Sequence, residues 1–428
     1  MRNEAGGGKM ILIKHGRVMD PETDFDKVTD VVLDGDRIVR IGEIEETEIY
    51  EQVIDAKGCI VAPGLIDVHV HFRDPGFTYK EDLETGSAAA AAGGFTTVVC
   101  MANTKPVVDS VDIYEEIQKR CEQLPIKVLQ AAAVSKGFKG EELVDMDALY
   151  KAGVKGFTDD GLPLMNPDVV KKAMEKTARL DVPISLHEED PSYIKQPGVN
   201  QGNVSEKLNY GGASYLAEAV MVERDCKLAL ETGATVDIQH ISSAQAVEYV
   251  KEAKEAGAHV VAEASPHHFT LTEEAVLKYG TLARMNPPLR TEEDRQRIIK
   301  GLQEGTIEII ATDHAPHSKE EKEKDLASAP SGITGLETSL GLGITELVDK
   351  GYLSMMELLE KMTLNPAKLY RLEQGRLQEG KPADIVIFDP KEKWIVKEYK
   401  SKASNSPFTG WELTGKVKYT ICNGKVAN

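Results

Sequence analysis

Between residues 64 and 313 the chain repeats one theme eight times, a short apolar strand followed by a helical segment, and this repetition constrains the fold more than any other feature. The strands read as GLIDVHV (64–70), FTTVVCM (95–101), KVLQAAAV (127–134), VKGFTD (154–159), PISLHE (183–188), TVDIQHI (235–241), HVVAEAS (259–265) and IEIIATD (307–313). Eight such units is the number that closes a (β/α)8 barrel, so an α/β fold of the TIM-barrel kind is expected. Helical segments separate the strands, among them DIYEEIQKRCEQL, NPDVVKKAMEKTARL and SAQAVEYVKEAKEAG, the last two opening on an Asn or Ser cap.

The two ends of the chain have a different texture. MILIKHGRVMD, DVVLDGDRIVRIG and the run up to CIVAP alternate as short strands do, and so do ADIVIFDP, WIVKEY and KVKYTICNGKV near the C-terminus. Both ends are therefore expected to meet in one small β-sandwich, with residues 1–62 and 376–428 supplying its halves and residues 63–375 forming the catalytic barrel. A chain of 428 residues accommodates a barrel and such an appendage.

Composition narrows the function classes. A formal net charge of −19 repels nucleic acid and anionic membranes, so neither is expected as a partner. Any anionic substrate must then find its positive charge inside the site. The five cysteines are scattered and include no C-x-x-C, which argues against a disulfide framework or a thiolate zinc site. No apolar run is long enough to span a bilayer, and the first ten residues, MRNEAGGGKM, lack the apolar core of a signal peptide. They read as a floppy extension, and the protein is expected to be cytoplasmic.

In barrels of this kind the chemistry sits at the C-terminal ends of the strands. The polar residues there are His69 and His71 after strand 1, Asn103 after strand 2, Asp159 and Asp160 after strand 4, and His187 after strand 5. His240 follows strand 6, His267 and His268 follow strand 7, and Asp313, His314 and His317 follow strand 8. Of the ten histidines only His15 and His259 lie elsewhere. A lone histidine is more often a hydrogen-bonded core residue than a ligand, but this convergence reverses that preference. Imidazoles and carboxylates are the ligand set for zinc and similar divalent ions, and positions left open to water make such a site catalytic. In strand 4, period-two alternation puts Gly156, Thr158 and Asp160 on one face and Lys155, Phe157 and Asp159 on the other. Gly156 and Thr158 suit a crowded interior, which selects Asp160 as a bridging ligand over Asp159 and over a carbamylated Lys155.

The motifs HFRDPG, CMANTKP, FTDDG, SLHEED, ARMNPPLR and ATDHAPH resemble those of bacterial dihydroorotases of the longer-chain class, within the amidohydrolase superfamily. The resemblance extends over nearly the whole chain from Met10 onward. It implies His69, His71, Asp160, His187, His240 and Asp313 as ligands of one or two Zn2+ ions per subunit. Arg73, Asn103, Asn286 and His317 would contact substrate, with Ser331 and Gly332 contributing near their backbone. The implied activity is the reversible cyclisation of N-carbamoyl-L-aspartate to L-dihydroorotate in pyrimidine biosynthesis, with Asp313 as the catalytic proton carrier. A homo-oligomer, and association with aspartate carbamoyltransferase, are also implied.

Arg73 discriminates between substrates, because a guanidinium offers a planar fork to a carboxylate. The uncharged rings of dihydrouracil and hydantoin would leave it unpaired. The bland alternative places Arg73 in a structural salt bridge with Asp74 or Glu81. Rival readings are a hydantoinase, dihydropyrimidinase or allantoinase, and a catalytically silent scaffold. The segment 318–332 is dense in charge and reads either as a solvated loop or as a lid at the barrel mouth. Two residues depart from the family pattern, Ala102 and Ser331, each standing where a proline is more usual. Both departures are expected to loosen a loop that positions substrate.

Overall fold

The computed structural model describes residues 10–45 and 49–428, so all of the expected N-terminal extension except Met10 lies outside the described residues. Five strands come first: β1 (Met10–Asp20), β2 (Phe25–Asp34), β3 (Arg37–Gly42), β4 (Gln52–Asp55) and β5 (Ile60–Pro63). The eight barrel strands follow as β6 (Leu65–Val70), β7 (Phe95–Cys100), β8 (Lys127–Gln130), β9 (Phe157–Thr158), β10 (Ile184–Leu186), β11 (Val236–Ile238), β12 (Val260–Ala264) and β13 (Ile309–Ile310). The chain ends with β14 (Ile385–Ile395), β15 (Glu412–Cys422) and β16 (Lys425–Val426).

Within the barrel β6, β7 and β8 pair in parallel, and so do β9 to β13 in chain order. Two single parallel bridges join these arcs into a ring, Ala132 with Phe157 and Val70 with His314. Each strand expected from the sequence is present but shorter than its apolar run. Residues beyond the hydrogen-bonded core of a strand are released into the loops that build the mouth. The two expected caps are made: Asn166 Oδ1 accepts from the Asp168 amide, and Ser243 Oγ from the Ala246 amide. Each satisfies a helix N–H that has no intrahelical partner.

Strands from both ends of the chain form one sheet in the order β16-β15-β14-β5-β1-β2-β3, with β4 beside β1. Alternation lets two of its strands serve two cores. Ile385 and Ile387 of β14, and Val61 of β5, pack into the core of the small sheet. Val386, Phe388, Ile60 and Ala62 point the other way, into the barrel's core. This sheet is thereby packed directly against the barrel rather than hung on a linker.

The floor of the barrel is closed by the helix Leu364–Leu369 and by Tyr370, which pack with Ile66, Val68, Val99, Met101, Ile309 and Ala311. A Cβ on Gly156 would lie 2.8 Å from the Tyr370 ring, which is the physical reason for a glycine on the inward face of β9. Among the described residues no helix is long and apolar enough to cross a membrane.

Candidate active site

The ends of five strands aim six buried side chains at one point. His69 lies within β6 and His71 just beyond it, Asp160 two residues after β9, His187 directly after β10, His240 two residues after β11 and Asp313 three residues after β13. Asp67, on the same strand as the first pair, is turned to another use. Its carboxylate accepts from the amides of His69 and Thr312, so it staples the first barrel strand to the last. Burial pushes the Asp67 carboxyl up, to about 6.

Asp160 stands at the centre. Its Oδ1 is 3.4 Å from His69 Nε2, 3.7 Å from His187 Nδ1 and 3.6 Å from His240 Nε2, and its Oδ2 is 3.3 Å from His71 Nε2. Asp313 Oδ1 lies 3.1 Å from His71 Nε2 and 3.6 Å from His69 Nε2. Two sets of three converging donors result, His69 with His71 and Asp160, and Asp160 with His187 and His240, sharing the aspartate. The position that alternation assigned to Asp160 is thus the shared one. Lys155, the carbamylation alternative, is exposed on the outer side of β9. Asp159 is spent on the neighbouring loop, accepting from the amides of Val134 and Ser135.

The donor set fits a divalent cation on evidence internal to the structure. His69 Nε2 and Asp160 Oδ1 are buried with no hydrogen-bond partner, and the His187 and His240 nitrogens that face each other are 3.0 Å apart. Buried polar atoms are ordinarily satisfied, so two orphans amid converging imidazole nitrogens fit a bound cation. The outer ring nitrogens are oriented from behind, as they are around metal centres. His69 Nδ1 is 3.0 Å from Glu263 Oε2, His187 Nε2 is 3.0 Å from Glu189 Oε2, and His71 Nδ1 is 3.0 Å from Asn103 Oδ1. The local field is acidic. Burial alone would lower the His187 imidazole, but Asp160 and Glu189 outweigh it and carry it to about 10. Burial would raise the Asp160 and Asp313 carboxyls, but the surrounding imidazoles hold both below the usual carboxylate range.

Loops supply the rest of a cavity of about 240 Å3 above this cluster, lined also by Arg73, Asn103, Gly161, Asn286, His317, Ser331 and Gly332. Arg73 makes no ion pair with any carboxylate among the described residues. Its Nε donates to the Pro316 carbonyl at 3.3 Å, and one terminal nitrogen lies 3.5 Å from His317 Nε2. The structural salt bridge weighed for Arg73 is absent because its candidate partners are taken. Asp74 pairs with Arg120, and Glu81 accepts from Ser401 and from the Lys402 amide. His317 Nε2 bonds the Ser331 carbonyl at 2.8 Å, and Lys80 Nζ lies 3.3 Å from Nδ1; burial first, then the charge of Arg73, keeps this ring neutral. Ser331 does not loosen its loop. Its hydroxyl donates to Asn286 Oδ1 at 3.0 Å and accepts from Arg284 at 2.9 Å, bonds that a proline could not make.

Three residues of this face that are not glycine have positive φ: Arg73 (59°), His240 (36°) and Asp313 (49°). Such conformations cost of order 1–3 kcal/mol each and persist where surrounding structure enforces them, often at functional sites. The remaining histidines of the mouth are structural. His314 is 3.4 Å from Glu81, and His268 Nε2 is 3.0 Å from the Pro287 carbonyl. His267 is buried against His268, and burial pushes it down to about 4. Sequence reasoning missed Glu189 and Glu263. The available signals were an acid two residues after His187 and an acid inside the buried strand HVVAEAS.

A family model described as the amidohydrolase family matches residues 60–427. A dihydroorotase of Clostridioides difficile is 62% identical over 417 residues, covering 97% of this chain and 99% of that protein. Dihydroorotases of Clostridium acetobutylicum and Lactococcus lactis are 53% and 50% identical, each over 97% of this chain and over 99% and 98% of their own lengths. Among solved structures, an L-hydantoinase (dihydropyrimidinase) from Arthrobacter aurescens superposes with a TM-score of 0.88 at 26% identity, covering 97% of this chain and 95% of that one. A dihydropyrimidinase from Brevibacillus agri superposes at 0.84 with 23% identity, over 97% and 94% of the two chains. The backbone is therefore shared across cyclic-amide hydrolases, whereas sequence identity over nearly full length separates this chain toward the dihydroorotases.

Proposed function

This chain belongs to the amidohydrolase family, and we infer that it catalyses the reversible cyclisation of N-carbamoyl-L-aspartate to L-dihydroorotate, a step of de novo pyrimidine biosynthesis. The observation that supports this reading best is the pairing, in one cavity, of a histidine–aspartate cage with a guanidinium that has no carboxylate of its own. A cyclic amide bearing a carboxylate meets both requirements.

In this reading His69, His71, His187 and His240, with Asp160 between them and Asp313 at the edge, hold one or two Zn2+ ions. When bound, zinc supplies a Lewis acid for the amide carbonyl and lowers the pKa of water at the site. The chain's own residues do the rest. Asp313, kept ionised by its neighbours and with Oδ1 turned toward His71, takes a proton on its carboxylate as water attacks the ring and hands it to the departing ring nitrogen; in the biosynthetic direction it runs these transfers backwards. Arg73 receives the substrate carboxylate on its terminal nitrogens, one of which lies 3.5 Å from His317 Nε2. Asn103 is held with its oxygen toward His71, which leaves its amide nitrogen, 3.4 Å from the Asp160 carbonyl, at the cavity edge for substrate. His317, Asn286, Ser331 and Gly332 form the wall opposite the cage. The same reading includes the division at residues 62 and 375, a cytoplasmic location, a homo-oligomer and aspartate carbamoyltransferase as partner; sedimentation of the two proteins together tests the association.

The deciding experiment is turnover of purified, zinc-loaded protein on L-dihydroorotate and N-carbamoyl-L-aspartate, with dihydrouracil, hydantoin and allantoin alongside. Preference for the first pair is expected. Activity only on the uncharged rings would move the chain to the hydantoinases, and inactivity on all five would leave a silent scaffold.

A further inference from the structure

Behind the cavity wall lie two buried cations that the reaction as described does not use. Lys322, at the end of the short helix Lys319–Lys322, and Arg284 are each 5% exposed. Neither side chain forms an ion pair among the described residues. Lys322 Nζ donates to the Pro330 carbonyl at 2.8 Å and to the Gly332 carbonyl at 3.1 Å. Arg284 donates to the Ala329 carbonyl at 2.6 Å and to the Ser331 hydroxyl at 2.9 Å, and its own carbonyl accepts from the Gly332 amide at 2.9 Å. Residues 329–332 are thus gripped from behind, while Ser331 and Gly332 face the cavity. Gly332 needs this grip, since its φ is +108° and a Cβ there would come within 2.6 Å of Ala315 Cβ.

We propose that Lys322 is a positioning residue for substrate binding: its ammonium fixes the carbonyls of Pro330 and Gly332, sets the wall at Ser331 and Gly332, and adds positive charge behind it for an anionic substrate. The inference rests on the dihydroorotase reading of the cavity. Two features set it apart from a purely structural clamp. A clamp needs only donors, whereas here a charge is buried beside a second cation with no carboxylate in ion-pair contact, a cost that a bound anion relieves. Burial, and then the charge of Arg284, pushes the Lys322 ammonium down to about 7; the other groups facing it are Glu321 on its own turn, which opposes that, and His317, which feels its charge from the loop after β13. The charge is therefore lost as pH rises through neutrality, whereas the neutral amine keeps two N–H donors for its two carbonyls. Charge and clamp can be separated on that basis.

The test compares wild type with Lys322→Met, which lacks donor and charge, and with Lys322→Gln, which keeps an amide donor and is the fallback if the first fails to fold. Steady-state kinetics on L-dihydroorotate are followed from about pH 6 to 9. Below neutrality Lys322→Met is expected to raise KM about tenfold with kcat changed by no more than about threefold, and Lys322→Gln to fall between it and wild type. In wild type kcat/KM should show a falling step near pH 7 that both variants lack. A wild-type KM in the variants, or the same step in all three proteins, overturns the inference while leaving the dihydroorotase reading intact. A wild type inactive on this substrate overturns both.

Discussion

The two halves of the cavity are built on different principles. The cage of four histidines and two aspartates stands on strand ends, within three residues of hydrogen-bonded backbone, and three of its imidazoles are braced from behind by Glu263, Glu189 or Asn103. The opposite wall of Arg73, Asn286, His317, Ser331 and Gly332 stands on loops, held by hydrogen bonds between segments far apart in the chain. Strand ends fix position to within a pleat and so suit a site that must present several ligands at once. Loops vary without disturbing the barrel, which fits a backbone shared with an L-hydantoinase and the proposal that the wall sets which ring is accepted.

Four substitutions sharpen or break this contrast. Asp313→Ala belongs to the cage but to its chemistry more than its grip, and should lower kcat by about 10²–10⁴-fold while metal analysis shows much of the metal retained. Normal turnover would remove Asp313 from the proton transfer. Arg73→Ala tests the wall and should raise KM for L-dihydroorotate about a hundredfold, as expected when a buried charged hydrogen bond is lost; an unchanged KM would mean that another group takes the carboxylate. Glu263→Gln reaches the cage from behind and should weaken metal affinity by about 10–100-fold in a competition titration against a chelator, with KM little moved. If KM moved and metal affinity did not, the division between the halves would fail. The smallest effect is expected of Gly332→Ala, a rise of about threefold to tenfold in KM with metal content unchanged, because a methyl group forced beside Ala315 at positive φ shifts the wall alone.

The cage also accounts for what metal loading should do to protons. In its absence the acidic field holds His187 protonated up to about pH 10. Binding of a cation through Nδ1 near pH 7 displaces such protons, so proton release on loading is expected in an unbuffered titration, and affinity should fall as the solution is acidified.

Much of the cage was legible before any fold was known. The eight strand–helix units set the barrel, and period-two alternation in VKGFTDDG separated Asp160 from Asp159 and Lys155, because side-chain direction in a strand depends only on neighbouring residues. The strands are shorter than their apolar runs, since an apolar run does not reveal where ladder pairing stops. The histidine count was less discriminating than it looked: His267, His268 and His314 share the mouth with the ligand candidates yet serve packing and hydrogen bonding. Nothing local distinguishes them, because their partners Pro287 and Glu81 come from elsewhere in the chain.

The wall shows the other limit. Motif resemblance could name Arg73, Asn286 and Ser331, but not that Asp74 and Glu81 would be claimed by Arg120 and Ser401, which leaves Arg73 without an ion pair among the described residues. Ser331 read as a loosened loop, and the folded chain makes it a hydrogen-bonded junction between Asn286 and Arg284. By itself the sequence determined the number of barrel strands, the face on which Asp160 points and the sign of charge the site must supply, all consequences of local periodicity and composition. Ring closure through single bridges, the bracing of His69 by Glu263 and the burial of Lys322 behind the wall were decided only in the tertiary structure, because each depends on which distant segments share a small volume once the barrel has closed.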